Sequence, residues 1–315
     1  MAILSVSRRT DIPTFYGEWF VNRLKEGFFM TRNPYNGKVT KISFQKEDID
    51  CIVFWTKNPI PFMRHVDEIN RTGIPYYFQF TVTGYGSDME ANIPDKERII
   101  SAFRELRDKG NGHIVWRYDP IAFTPSYTAE WHLATFRRIA ENLHGYTNKC
   151  VISFVDIYPQ IARSTGLCSP LGMSGIDING FAREIANIAA AYGMTVATCA
   201  EMIDLATCGI EHNKCIDDAY ISRITGKEFH IGKDKGQRKS CGCVESVDVG
   251  AYGTCRNGCR YCYANQWKSN SVSRVDAYNA KSPLLCDKLR DNEPFAEKRL
   301  RSLYYAPEPE QLSLF

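Results

Sequence analysis

The chain of 315 residues lacks a run of apolar residues long enough to span a bilayer, which takes about 18–20 of them, so it is not expected to enter a membrane. It also lacks an export signal: Arg8-Arg9 looks at first like a twin-arginine leader, but Asp11 and Glu18 interrupt the apolar stretch that would have to follow. The expectation is a cytoplasmic protein. Net charge is small, 39 basic against 36 acidic residues leaving +3, too little for a general attraction to nucleic acid or to an anionic membrane surface. Histidine is scarce, and none of the six falls at a metal-ligand spacing, so they are read as structural. No long polar tract interrupts a composition of 44% hydrophobic and 24% charged residues, which is that of a folded globular chain.

Cysteine, by contrast, is plentiful. Twelve cysteines without an export signal are not a disulfide framework, because a reducing compartment keeps thiols available for metal binding or catalysis.

Short β-branched and aromatic runs occur at residues 3–7, 50–55, 76–82, 113–118, 151–155, 194–199 and 244–249. Helical patterns lie between most of them, at 13–25, 94–109, 128–143 and 179–192. In the second, Ile99, Phe103 and Leu106 share a face; in the last, Phe181, Ile185, Ile188 and Tyr192 do, with Gly193 placed to end it. Such alternation predicts parallel strands joined by crossover helices. About seven units in series predict an α/β fold, a (β/α) barrel or part-barrel, over residues 1–300 as one domain, followed by a tail at 301–315.

Barrel enzymes carry their chemistry at the C-terminal ends of the strands. The residues that follow the runs are polar at every one: Arg8, Arg9 and Asp11; Lys57 and Asn58; Thr81, Thr83 and Tyr85; Arg117 and Asp119; Asp156; Cys199 and Glu201. Any one of these could be a solvated loop charge or a helix cap. Together they define a polar mouth in which Arg8, Arg9, Lys57 and Arg117 could hold a carboxylate or an anionic substrate. Asp11, Asp119 and Glu201 are candidates for proton transfer or hydroxyl contacts, or are structural partners of those cations, and Asn58 is a candidate cofactor contact.

Residues 255–262 read Cys-Arg-Asn-Gly-Cys-Arg-Tyr-Cys, with Gly253 and Gly258 permitting a tight turn directly after the last strand run. Three thiolates can then face one point. Soft thiolates select zinc or iron–sulfur clusters, and a structural zinc wants four ligands in a closed tetrahedron where this turn offers three. A C-x3-C-x2-C turn with an aromatic residue before its last cysteine resembles the signature of the radical S-adenosylmethionine superfamily. The resemblance implies that Cys255, Cys259 and Cys262 hold a 4Fe-4S cluster with one open iron, that S-adenosyl-L-methionine chelates there and is cleaved to a deoxyadenosyl radical, and that Tyr261 lies near the adenine. It further implies a flavodoxin, ferredoxin or reductase as electron donor. In that superfamily the signature follows the first barrel strand; here it follows the seventh run, as in a circularly permuted barrel, whose closure would set residues 244–249 beside residues 3–7. Over nearly the whole chain, Ser7-Arg8-Arg9-Thr10-Asp11-Ile12-Pro13, Phe54-Trp55-Thr56-Lys57-Asn58-Pro59, Trp116-Arg117-Tyr118-Asp119-Pro120 and Cys259-Arg260-Tyr261-Cys262-Tyr263-Ala264-Asn265 resemble a bacterial family, domain of unknown function 1848, which brings no substrate with it.

Five further cysteines, Cys199, Cys208, Cys215, Cys241 and Cys243, precede the turn, and four of them would complete a closed auxiliary cluster. Cys199, Cys215, Cys241 and Cys243 are the expected set, with Cys208 in reserve; a zinc clip or buried apolar thiols are the alternatives. Cys51, Cys150, Cys168 and Cys286 read as core or surface thiols. After a Pro-rich spacer, the tail Gln311, Leu312, Ser313, Leu314, Phe315 resembles the peptide with which bacterial replication and repair proteins dock on the sliding clamp; the alternative is a tail folded back on the barrel. Clamp binding would point to modified or damaged DNA as substrate, as in spore photoproduct lyase. An iron–sulfur or zinc protein serving electron transfer or sensing without turnover is the competing function.

Overall fold

A computed structural model describes residues 2–156, 175–264 and 275–304. Its centre is an eight-stranded sheet of β1 (Ile3–Val6), β4 (Cys51–Thr56), β5 (Tyr76–Thr81), β6 (Ile114–Ile121), β7 (Lys149–Phe154), β8 (Thr195–Cys199), β9 (Glu211–Asn213) and β10 (Val247–Asp248). The spatial order is β10-β1-β4-β5-β6-β7-β8-β9, and every neighbouring pair is parallel. Leu4 pairs with Val247 and Ser5 with Asp248, so the strand before the cysteine turn lies beside the first strand, within the expected runs 244–249 and 3–7. No ladder joins β9 to β10 among the described residues, so the sheet has two ends.

Alternation along each strand divides the core in two. Leu4, Ile52, Phe54, Phe78, Trp116 and Ile152 face outward into the larger core, shared with the crossover helices α4 (Lys96–Lys109), α5 (Ala129–Leu143) and α6 (Ile178–Ala191). Ile3, Cys51, Val53, Tyr77, Val115 and Val151 face inward and are covered by Cys215, Ile216, Ile221, Phe229 and Val244 from the segment 215–244. That segment fills the inner face at the N-terminal half of the strands, and Tyr77 Oη (2.6 Å) and Gln79 Nε2 (2.8 Å) both donate to the Cys215 carbonyl to fasten it. The polar residues at the strand ends therefore stand above an apolar floor.

The helices begin where their caps dictate. Asp95, Thr128 and Asp177 each accept a hydrogen bond from a backbone N–H of the first turn. The pattern at 13–25 divides at Tyr16 into α1 (Ile12–Phe15) and α2 (Gly17–Glu26), and Tyr16 Oη reaches across to the Thr254 carbonyl at 2.5 Å. A second, three-stranded sheet, unexpected from the sequence, is made by β2 (Phe28–Arg32), β3 (Val39–Ser43) and β11 (Phe295–Arg299). All five residues of β11 are exposed, so no apolar pattern marks it. The helix α3 (Met63–Thr72) and the short β9 were likewise not expected, and α7 (Asp218–Thr225) lies within the inner segment. No described helix is long and apolar enough to cross a membrane.

Candidate functional site

The cysteine turn is fastened on three sides. Gly253 and Gly258 adopt φ of 71° and 68°, which only glycine takes up without strain, and Gly258 backs closely onto Ala91 and Asn92. From β1's end, Asp11 Oδ2 accepts from Asn257 Nδ2 at 3.0 Å and from the Lys57 backbone at 2.8 Å, while its Oδ1 caps α1 through Thr14 N. From the loop after β5, Asn92 N donates to Asn257 O (3.1 Å), Asn92 Nδ2 to Arg256 O (2.7 Å), and Arg260 N to Met89 O (3.0 Å). Tyr16 holds the third side at Thr254. Cys259 is buried, and Cys255 and Cys262 are half-buried; no disulfide joins any described cysteines. Burial pushes the Cys259 thiol up to about 12 against the nearby Lys57 ammonium, and burial likewise raises Cys255.

Beside the turn lies a carboxylate absent from the expected set. Glu90, 2% exposed, accepts from Lys57 Nζ (2.8 Å), Thr83 Oγ1 (2.7 Å), Lys96 and the hydroxyl of Tyr261. Burial alone would raise its pKa, but Lys57 and Lys96 hold it at about 2. Tyr261 is thereby fixed by its hydroxyl, with the Lys57 ammonium 5.4 Å from its ring centre.

The other strand ends form two further groups. Asp248 on β10, also absent from the expected set, collects Ser5 Oγ (2.9 Å), Ser7 Oγ (2.6 Å) and Arg8 N (2.9 Å), with the Arg8 and Arg9 guanidinium groups at 3.9 Å. Arg8 also reaches Asp234 (3.4 Å), and Arg9 lies over the Tyr252 ring at 5.2 Å. On β6, Arg117 is paired with Asp119, which Ser153 also contacts, and lies over the Trp55 ring at 5.1 Å. Glu201 accepts from Phe154 N at 2.7 Å, and burial raises its pKa to about 7. Asn58 faces no common point with these: its Oδ1 accepts from Ile60 N (3.2 Å) and shapes the turn after β4. Asp11 spends both carboxylate oxygens on holding the turn and α1, so it acts as a positioning residue.

Four of the five upstream cysteines come together. Cys199 and Cys215 lie with their sulfurs 3.2 Å apart, Cys215 also interacts with Cys243, and Cys243 with Cys241. Arg117 Nη1 donates to Cys215 Sγ at 2.9 Å, and Asn213 Nδ2 stands 3.5 Å from the same sulfur. Cys208 is elsewhere, its thiol on the Asn179 carbonyl at 3.3 Å. Among the described residues no three His, Cys, Asp or Glu side chains converge as ligands of a single metal ion. A four-iron cluster does not ask for that, since each thiolate binds its own iron. By donor type, the three thiols of the turn, with an ammonium group near Cys259, and the four-thiol group, with a guanidinium on one sulfur, both suit an anionic iron–sulfur centre. Residues 311–315, Ile157, Tyr158, Cys168 and Asn265 lie outside the described residues.

Glu90 and Asp248 carried one signal in the sequence: each is an acidic residue within a short reach of a strand end already singled out, Glu90 seven residues beyond Thr83 and Asp248 inside the last run.

Among solved structures, a putative alpha-L-fucosidase from Bacteroides thetaiotaomicron matches at 14% identity and a TM-score of 0.26, over 50% of this chain and 64% of that one, a likeness too slight to carry an argument. No curated protein matches the chain. The family model of the domain of unknown function DUF1848 matches residues 3–264, and with that span covered, the chain belongs to the DUF1848 family.

Proposed function

We propose that the chain is a radical S-adenosylmethionine enzyme built on a permuted (β/α) part-barrel. The observation that carries the reading is the C-x3-C-x2-C turn, fastened to the loops after β1 and β5, with Lys57 packed against its Tyr261. When bound, a 4Fe-4S cluster at Cys255, Cys259 and Cys262 would supply the electron that cleaves S-adenosyl-L-methionine to a deoxyadenosyl radical. The chain's own part is to exclude water and to orient. Cys259 and Tyr261 are buried, the Glu90 carboxylate holds Lys57, Lys96 and Tyr261 in one arrangement, and Asp11 holds the turn at Asn257. Arg8, Arg9, Asp119 and Glu201 are the binding and proton-transfer candidates of the same mouth, whereas Arg117 is engaged below it by Asp119 and Cys215. Cys199, Cys215, Cys241 and Cys243 are read as ligands of an auxiliary 4Fe-4S cluster, supported by the mutual contacts of their thiols. A cytoplasmic setting with flavodoxin or ferredoxin as donor suits a chain rich in unbridged thiols. A DNA substrate and a sliding-clamp partner rest on the tail's resemblance alone.

Anaerobic reconstitution of the full chain is expected to give about eight irons per protein, two four-iron clusters. Changing Cys255, Cys259 and Cys262 to Ala should remove half. Under strong reductant the wild type is expected to release deoxyadenosine from S-adenosyl-L-methionine, and Cys259→Ala to release none. A triple variant that keeps all its iron, or zinc as the tightly held metal, sinks the cluster assignment; a loaded wild type that never cleaves the cofactor favours the electron-transfer or sensor reading.

A further inference from the structure

The inner face of β6 carries a guanidinium that a polar mouth alone does not explain. Arg117 is 3% exposed and sits one layer below the rim, where Nη1 donates to Cys215 Sγ at 2.9 Å and Nε donates to Asp119 Oδ2 at 3.0 Å. Its flat face covers the Trp55 ring, and Gln79 Oε1 accepts from it at 3.3 Å. With every side thus engaged, Arg117 has no fork left for a substrate carboxylate. Among the described residues, Trp55 Nε1, on the ring beneath Arg117 and packed with Cys215, Cys241 and Cys243 in the inner core, is buried without a hydrogen-bond partner, as is Nη1 of Arg8. Unmatched buried donors are costly, and they are what a centre rich in acceptor sulfur would satisfy.

We infer that Arg117 is a tuning residue of the four-cysteine centre: its hydrogen bond and positive charge at Cys215 stabilise the reduced state and raise the centre's reduction potential, with Asp119 moderating the effect. The inference rests on the auxiliary-cluster reading above. A fixed positive charge beside a cluster favours the form with one more electron, and hydrogen bonds to its thiolates act in the same direction. Asp119, paired with the guanidinium, partly cancels that charge, so the two residues act with opposite sign.

The test is a redox titration followed by electron paramagnetic resonance on the full chain with Cys255, Cys259 and Cys262 changed to Ala, which isolates the auxiliary centre. Adding Arg117→Gln is expected to lower the midpoint by at least a tenfold change in the one-electron equilibrium, about 59 mV. Asp119→Asn is expected to raise it. An unchanged midpoint in Arg117→Gln with the iron retained overturns the inference. If Arg117→Gln does not fold or does not load, Asp119→Asn decides, and a midpoint that stays or falls overturns it. Iron absent from the isolated centre, or replaced by zinc, removes the auxiliary-cluster reading and the inference together, a result visible in the metal analysis before any titration.

Discussion

His132 shows how a single side chain ties stability to pH. It is fully buried, with Nε2 facing the Ala122 carbonyl at 3.2 Å and Nδ1 facing the Tyr118 hydroxyl at 2.9 Å. A carbonyl only accepts, so Nε2 carries the proton and Nδ1 accepts from Tyr118, an arrangement that a charged ring would break. Burial lowers its pKa to about 4. The unfolded chain, titrating near 6.5, then binds more protons between those values, so stability is full above pH 6.5 and falls as pH drops toward 4, by on the order of 3 kcal/mol. His132→Gln should lack this limb. In urea titrations the stability gap between wild type and variant should narrow from pH 6.5 to 4, and a gap independent of pH would refute the assignment. Glu90 is the contrasting case at the same scale. Its closeness in sequence to Thr83 was its one signal, whereas its importance lies in Lys57, Lys96, Thr83 and Tyr261 arriving from four separate segments.

At the scale of elements, the strands of the large sheet were legible because burial on both faces leaves continuous apolar runs: residues 76–82 became β5 and 194–199 became β8. The run at 244–249 shortened to Val247–Asp248, since Val244 turns into the inner core and Ser5 and Ser7 anchor only Asp248. β11 could not be read, because exposed residues held by backbone pairing and a surface ion pair leave no trace in hydrophobicity. Cys199 was legible from its strand-end position and Cys241-Gly-Cys243 from its place before the last run, whereas Arg117's place on Cys215 depended on the register of β6 against its neighbours. The junction between β10 and the turn is the tightest of these joints. A Cβ on Gly250 would fall inside contact distance of Ser7 Oγ, which Asp248 holds in place. Gly250→Ala is therefore expected to cost about 1–3 kcal/mol and, on the cluster reading proposed above, to lower the iron retained at the turn. Equal stability and unchanged iron content would show that the approach is not tight.

For the molecule as a whole, the segment 215–244 serves as floor to the polar mouth and as source of the three thiols gathered with Cys199. Tyr77 and Gln79 fasten it at the Cys215 carbonyl, beside its apolar packing on the strands and the contacts of Arg117 with Cys215 and Arg8 with Asp234. Tyr77→Phe with Gln79→Leu removes both bonds and leaves the Cys215 carbonyl unsatisfied, a loss of roughly 2 kcal/mol. Limited proteolysis should then cut first within 215–244 while the outer core stays intact, and uniform cleavage would argue that floor and sheet unfold as one.

The pairing of β1 with β10 also sets the order in which the protein can be made. Ser5 is 243 residues ahead of the Asp248 that it binds, and at about 5–20 residues per second the ribosome takes roughly ten to fifty seconds to deliver that partner. Through that interval β4 to β8 can assemble on β1 while its other edge stays open, and the cysteine turn emerges after all of them. The nascent chain thus has most of its scaffold before it has the cysteine turn, so that turn is set in place late, on a nearly finished sheet.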